Sequence, residues 1–372
     1  MRIEVRQVTR RRQLKEFIHL PARIHRQHER WVPPLYADER HFFNPDKNRG
    51  FSYCDTTLAL AYRDGSPSGR IMGIVHRRYN ELRNEAIARF GYLDCFEDQE
   101  VARALLGYIE EWARKKGMKR IVGPMGFTDQ DPQGFLVEGY ENEPTTGAYY
   151  NFEYIVRFLE DQGYRKEVDY VVYKVIVPER IPEAYERIHK RLLSRGEFAL
   201  VEFTRRKDVK PYSLPVLNLM NETYQNLYGF VPLDEQETAE LIKRYYPVID
   251  PRFLKAVTKE DQVVGFILGI PNMNEGIRRA KGRLLPFGVF RIMRAAKRAK
   301  QLDLLLGGIK EEHRGRGLDV LMAIAMIRSA KNAGFEYMDS HQELETNVNI
   351  RAEMERMGGQ VYKRYRIFQK EL

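Results

Sequence analysis

Apolar residues alternate at Ile3 and Val5 and run into Val8-Thr9-Arg10-Arg11-Arg12-Gln13-Leu14-Lys15, a pattern that reads as strand, polar turn and helix start. The same order returns 195 residues later, where Leu200 precedes Phe203-Thr204-Arg205-Arg206-Lys207-Asp208-Val209-Lys210. Other landmarks keep step. Pro34-Leu35 answers to Pro232-Leu233. A helix ends at Trp112-Ala113-Arg114-Lys115-Lys116 before Gly117 and leads to the strand Arg120-Ile121-Val122. Its counterpart closes at Lys331-Asn332-Ala333-Gly334 and leads to Phe335-Glu336-Tyr337-Met338. Later helices close at Gly163-Tyr164 and Gly358-Gly359, each before a strand (170–177 and 362–368); glycine there supplies the left-handed residue that caps a helix. The pattern predicts an α/β chain with two copies of one mixed-sheet unit. They span residues 1–180 and 197–372, with a connecting helix over 181–196.

Length agrees, since 372 residues exceed what one core usually fills. No run of about 18 apolar residues is present, so a spanning helix is not expected, and the start lacks the apolar core of a signal peptide. A cytoplasmic protein is the expectation. Cys54 and Cys95 stand far apart, which supports neither a disulfide framework nor a zinc knuckle. His25 and His28, set among Arg23, Arg26 and Arg30, suit a surface helix; no further ligands complete a site, so no metal is expected. The net charge of +10 favours anionic partners without naming one.

Candidate chemistry concentrates in the second copy. The buried-strand composition of Leu302-Asp303-Leu304-Leu305-Leu306-Gly307-Gly308-Ile309 feeds the loop Glu311-Glu312-His313-Arg314-Gly315-Arg316-Gly317-Leu318-Asp319, then a helix over 320–328. A glycine-rich turn at a helix amino terminus is an anion site, because free N–H groups and the positive end of the helix dipole face the ligand. Gly315 and Gly317 permit close approach, and Arg314 and Arg316 add charge. The loop is neither a Walker A loop nor a GxGxxG turn.

Glu312-His313-Arg314-Gly315-Arg316-Gly317 resembles the Q/R-x-x-G-x-G/A cofactor motif of the GNAT superfamily of N-acetyltransferases, with Glu312 in place of Gln or Arg. Asn347 and Gly358 have the spacing of that family's Asn and Gly after the fifth strand, whereas Met354 stands where the family often has Tyr. The resemblance is closer to large tandem members. It rests on Trp31-Val32-Pro33-Pro34-Leu35, Gly123-Pro124-Met125, Leu136-Val137-Glu138-Gly139, Leu284-Leu285-Pro286-Phe287-Gly288 and Tyr362-Lys363-Arg364-Tyr365-Arg366-Ile367. It implies two tandem GNAT-like domains whose fourth and fifth strands splay around the pantetheine of acetyl-CoA or another acyl-CoA. The cofactor-binding residues would be Ile309, His313, Arg314, Gly315, Arg316, Gly317, Leu318 and Asn347. The first copy offers Phe96-Glu97-Asp98-Gln99-Glu100-Val101 at the equivalent loop, three carboxylates and no glycine, so it is expected to be degenerate.

For proton transfer, alternation along Asp339-Ser340-His341-Gln342-Glu343-Leu344-Glu345 puts His341, Glu343 and Glu345 on one face. Glu345 and His341 are the expected catalytic residues. The long loop Gly126–Phe135 either receives a cationic acceptor or seals the domain interface. An insertion over 272–301 carries nine basic residues and no acid between 278 and 300, interleaved with Phe287, Val289, Phe290, Ile292 and Met293. It either closes the acyl pocket or touches anionic membrane; nucleic acid is not expected. The expected activity is acyl-CoA-dependent, foremost acetyl-CoA-dependent, N-acylation of a small-molecule amine by the second domain. A non-catalytic acyl-CoA binder and a Fem-type aminoacyl or peptidyl transferase are the alternatives.

Overall fold

The computed structural model describes residues 2–372. In the first half, β1 (Ile3–Gln7), β2 (Cys54–Arg63), β3 (Ser66–His76), β4 (Ile87–Cys95) and β5 (Arg120–Gly123) lie side by side, with β6 (Phe135–Glu138) and β7 (Arg165–Ile176) following in the chain. The second half repeats the order as β8 (Ala199–Glu202), β9 (Leu254–Lys259), β10 (Gln262–Pro271), β11 (Gln301–Ile309) and β12 (Tyr337–Asp339). The short β13 (Glu343–Leu344) and β14 (Gln360–Glu371) come last. The repeat read from sequence is visible in β7 and β14, which begin 195 residues apart and are each 12 residues long.

The halves interlock. β14 lies between β5 and β7, and β7 lies between β14 and β12, so one sheet runs through both copies. Phe368 pairs with Gly123 and Tyr337 with Ile176, both in antiparallel ladders. Each half therefore receives its closing strand from the other. A lone β5 or β12 would leave a row of backbone groups unpaired, which the exchange satisfies.

Helix Gln99–Lys115 places Val101, Ala102, Leu105, Leu106, Ile109 and Ala113 on one face, the spacing of a helix packed on a sheet, and buries them against Ala59, Ile71 and Phe90. Its counterpart, helix Leu318–Asn332, is apolar nearly all round and buries Leu321, Met322, Ile324, Ala325 and Met326. It needs to be, since it is covered by the sheet on one side and flanked on another by the connecting helix Glu183–Ser194, tied to it by Arg328–Glu186 at 2.5 Å.

In both halves the fourth and fifth strands pair in parallel for three residues and then part: Ile87 to Arg89 with Arg120 to Val122, and Gln301 to Asp303 with Tyr337 to Asp339. The second fork is pinned by a buried polar network. Asp303 and Asp339 stand opposite each other, and both are fully buried. Lys363 of β14, equally buried, donates to Asp339 Oδ2 at 2.7 Å, to Thr145 Oγ1 at 2.6 Å and to the Glu143 carbonyl at 3.0 Å. Thr146 N–H, Asn272 and Gln301 donate to Asp303. Burial and the Asp339 charge push the Asp303 carboxyl up, whereas Lys363 offsets burial at Asp339 and holds it below the usual carboxylate range. Removing one partner of such a pair leaves a buried charge without compensation. Lys363→Met should cost about 3–5 kcal/mol of unfolding free energy. A denaturant titration showing less than about 1 kcal/mol, the value of an exposed pair, would refute that account.

Candidate acyl-transfer site

β11 ends at Ile309, a single helical turn over Glu311–His313 follows, and Gly317 caps helix Leu318–Asn332. Gly315 and Gly317 have φ of 71° and 85°, a backbone that residues with a Cβ adopt only under strain. No atom would crowd a side chain at Gly315, whereas a Cβ at Gly317 would meet Leu192 at 3.0 Å. No side chain caps the helix, and the backbone N–H groups from Gly315 to Val320 find no acceptor among the described residues. Such a row of N–H groups at a helix start suits a pyrophosphate. Arg314 and Gly315 border a cleft there, as do the acids Glu311 and Asp319. Glu312 turns back to Lys310 at 3.2 Å, which keeps its carboxylate paired within the loop.

The first half lacks both features. Asp98 caps helix Gln99–Lys115, accepting from the N–H groups of Glu100 and Val101 at 3.2 and 3.3 Å, and Arg63 pairs with Asp98 and Glu100. Its fork is filled by its own chain: Met125 N–H donates to the Phe90 carbonyl at 2.8 Å, and a Cβ at Gly91 would lie 2.5 Å from the Met125 carbonyl oxygen. The Gly126–Phe135 loop then folds over this closed fork. Buried Arg89 holds the Gly126 and Phe127 carbonyls, and Gln342 reaches the Gln133 carbonyl at 3.0 Å. The loop thus lines the cleft while contacting the second half.

The second fork stays open. Beyond Asp303, β11 pairs among the described residues only with β10, and a register shift opposite Leu268 and Gly269 leaves Leu305 without a partner residue there. The free edge at Gly307 is met by one side chain: the Tyr224 hydroxyl donates to its carbonyl at 3.0 Å and accepts from its N–H at 3.2 Å. No sequence signal marked Tyr224, at the end of helix Arg206–Thr223. The cleft running from this edge has a volume of about 2760 Å³, and Leu268, Leu304, Leu306, Ile324 and Ile327 are among the apolar residues along it.

The residues expected from sequence divide into two groups. Ile309, Arg314, Gly315, His341 and Asn347 border the cleft. Arg314 reaches back to the Ile309 carbonyl, and Asn347 caps helix Val348–Arg356 by accepting from Ile350 N–H at 3.4 Å. His313, Arg316 and Leu318 turn elsewhere. His313 packs edge-on against Phe198 and its N–H donates to the Lys310 carbonyl, Arg316 pairs with Glu197 at 2.8 Å, and Leu318 is core, so of these only the Arg316 and Leu318 backbone N–H groups can serve an anion.

The face shared by His341, Glu343 and Glu345 is corrected. His341 has φ of 62°, which breaks the two-residue alternation, and Glu345 N–H pairs with the Asp169 carbonyl of β7. The Glu345 carboxylate sits outside the cleft between Lys166, at 2.6 Å, and Arg364, and the Lys166 hydrogen bond holds its pKa down. Glu343 faces the cleft instead. Burial pushes its carboxyl up to about 8, and the Glu353 charge adds to the shift. Burial lowers the His341 pKa, and the nearby Asp339 charge works against that shift.

No family model matches the chain. Its fold matches that of a tandem GNAT protein from the clavulanic acid biosynthesis pathway, at a TM-score of 0.57 with 12% identity, covering 100% of this chain and 98% of that one. The chain therefore has a GNAT-like α/β fold, shared over its whole length with a tandem GNAT protein. The bacterial ceramide synthase of Caulobacter vibrioides is 30% identical over 370 residues, 97% of this chain and 95% of the relative. Protein YghO of Escherichia coli is 24% identical over 378 residues, 99% and 95% of the two chains. The chain belongs to the family of the Caulobacter protein.

Glu343 has a raised folded pKa, so it keeps its proton in the fold at pH values where the unfolded chain has lost it. Its contribution is therefore present at low pH and declines as pH rises toward about 8. Glu343→Gln should melt higher than the parent, by a margin that widens from about pH 5 to about pH 9 in calorimetric scans. An unchanging margin would show that this carboxyl is not protonated in the fold.

Proposed function

We propose that this chain is an acyl-CoA-dependent N-acyltransferase that transfers a long acyl chain, rather than an acetyl group, to the amine of a long-chain lipid base. The observation that carries the reading is the union of an uncapped glycine-rich helix start with an apolar-lined cleft of about 2760 Å³. The name of the Caulobacter relative supports the same reading, since a ceramide is a fatty amide of a long-chain amino alcohol.

The N–H groups from Gly315 to Val320, with Arg314, would hold the pyrophosphate. The free edge of β11 would hold the pantetheine in place of the Tyr224 hydroxyl. The bound thioester supplies an activated acyl carbon. Glu343 takes the proton from the incoming ammonium, a task suited to a carboxyl near 8, so the neutral amine can attack. A β11 backbone N–H beside the Leu305 bulge would stabilise charge on the carbonyl oxygen. The C–N bond forms, the C–S bond breaks, and the proton that the nitrogen then sheds goes to the departing thiolate, which leaves as free thiol. The fork network keeps Asp339 and Lys363 out of this chemistry by engaging each with the other.

Calorimetry should detect palmitoyl-CoA, with acetyl-CoA weaker, and Gly315→Glu with Gly317→Glu should abolish both signals in a folded protein. Binding of neither thioester by the parent at low salt would refute the cofactor. With a long-chain amine, release of free thiol should follow, rising as pH passes about 8. Glu343→Gln should lower kcat by about 10²-fold with little change in KM and should remove that pH limb. Unaltered turnover in the variant would move the base elsewhere.

A further inference from the structure

The insertion forms a helical hairpin. Helix Asn274–Ala280 and helix Gly288–Ala296 cross closely, since a Cβ at Gly276 would lie 2.6 Å from the Ile292 Cα. The hairpin is anchored to the first half. Tyr36 N–H donates to the Gly282 carbonyl at 3.0 Å, Arg278 pairs with Glu143 at 2.8 Å, and Asn272 and Asn274 both donate to the Pro144 carbonyl. A segment held this way is positioned, yet its tip keeps its apolar residues in water: Leu285 is 80% exposed, and Phe287 and Phe290 are each 67% exposed. Clustered exposure of large apolar side chains calls for a partner.

The surroundings say what kind. Between 278 and 300 the chain has nine basic residues and no acid. Among the described residues, Lys281, Arg283, Arg294, Lys297 and Arg298 have no ion-pair partner. All five are exposed. An apolar tip ringed by uncompensated cations matches a surface with anionic headgroups above hydrocarbon. The same segment also turns inward. Leu284, Val289, Ile292 and Ala296 line the cleft, whereas Leu285, Phe287 and Phe290 do not.

We propose that residues 281–298 form a membrane-docking element, in which Leu285, Phe287 and Phe290 enter the interfacial layer of an anionic bilayer while Lys281, Arg283, Arg294, Lys297 and Arg298 contact its headgroups. No helix among the described residues is long and apolar enough to cross a membrane, so the contact is peripheral. One outcome is geometric. The wall of the cleft is seated on the lipid, which lets a long-chain substrate pass from the bilayer without crossing water. Docking itself does not depend on the acyltransferase reading; only the delivery of substrate does.

The test is co-sedimentation of the full chain with phosphatidylcholine vesicles, with and without phosphatidylglycerol. The parent should bind the anionic vesicles and release as salt rises. Phe287→Ser with Phe290→Ser should weaken binding by about tenfold or more, and Arg294→Gln, Lys297→Gln and Arg298→Gln together should reduce the salt dependence. Failure of the parent to bind anionic vesicles, or equal binding by the parent and both variants, overturns the proposal. So does a dimer in light scattering that the serine pair dissolves, since a second copy would then cover the tip. Palmitoyl-CoA calorimetry on the serine pair separates the two readings, because cofactor binding should persist when docking is lost.

Discussion

Everything in the second half hangs on the point where β11 and β12 stop pairing. Two carboxylates face each other there with one ammonium between the halves to compensate them, all out of water. Desolvation would make this arrangement unfavourable by itself. It persists because donors reach the pair from across the molecule: Lys363 on β14, Thr145 and Thr146 on a first-half loop, Asn272 at the root of the insertion and Gln301 on β11 itself. The network therefore fixes the position of the first half against the second more sharply than apolar packing could. It also sets where the strands begin to diverge.

Above that fixed point the structure is permissive. Gly307 meets a tyrosine hydroxyl rather than a strand, Leu305 bulges, and the loop after Ile309 leaves its N–H groups free. The first half shows the same frame with each of these openings closed, by Asp98 at the helix start and by Met125 in the fork. The two copies thus differ in form: one closes its fork and the other leaves a groove. The acids Glu343 and Glu353 along that groove are held at raised pKa by burial, a destabilising arrangement of the sort found where chemistry needs it.

Much of this could be read from residue order. The alternation and the glycine caps located the two copies, and the strand before Gly315-Arg316-Gly317 located the helix start, because both signals are local. The basic insertion was legible for the same reason. The strand exchange was not: alternation tells which face of β14 is buried, never which neighbours it will have. Nor could sequence separate Glu343 from Glu345. The left-handed backbone at His341 takes that residue off their face, and β13 ends at Leu344, so Glu345 leaves the strand and is drawn to Lys166 and Arg364. Arg316 misled in another way, since its charge suits an anion but Glu197 lies closer. Tyr224 depends on a contact 83 positions along the chain, beyond any local pattern.

The exchanged strands bear on how the molecule comes to exist. β5 is synthesised long before β14, its antiparallel neighbour, and contacts of such separation are slow to form. Until β14 emerges, the nascent first half holds Val122 and Val171 on strands with a vacancy between them, an edge that invites pairing with other chains. The helices and loops between 181 and 359 must therefore be made while an earlier sheet waits unfinished. Neither half can complete its sheet alone, so closure of both waits on β14, the strand that pairs with β5 on one side and β7 on the other.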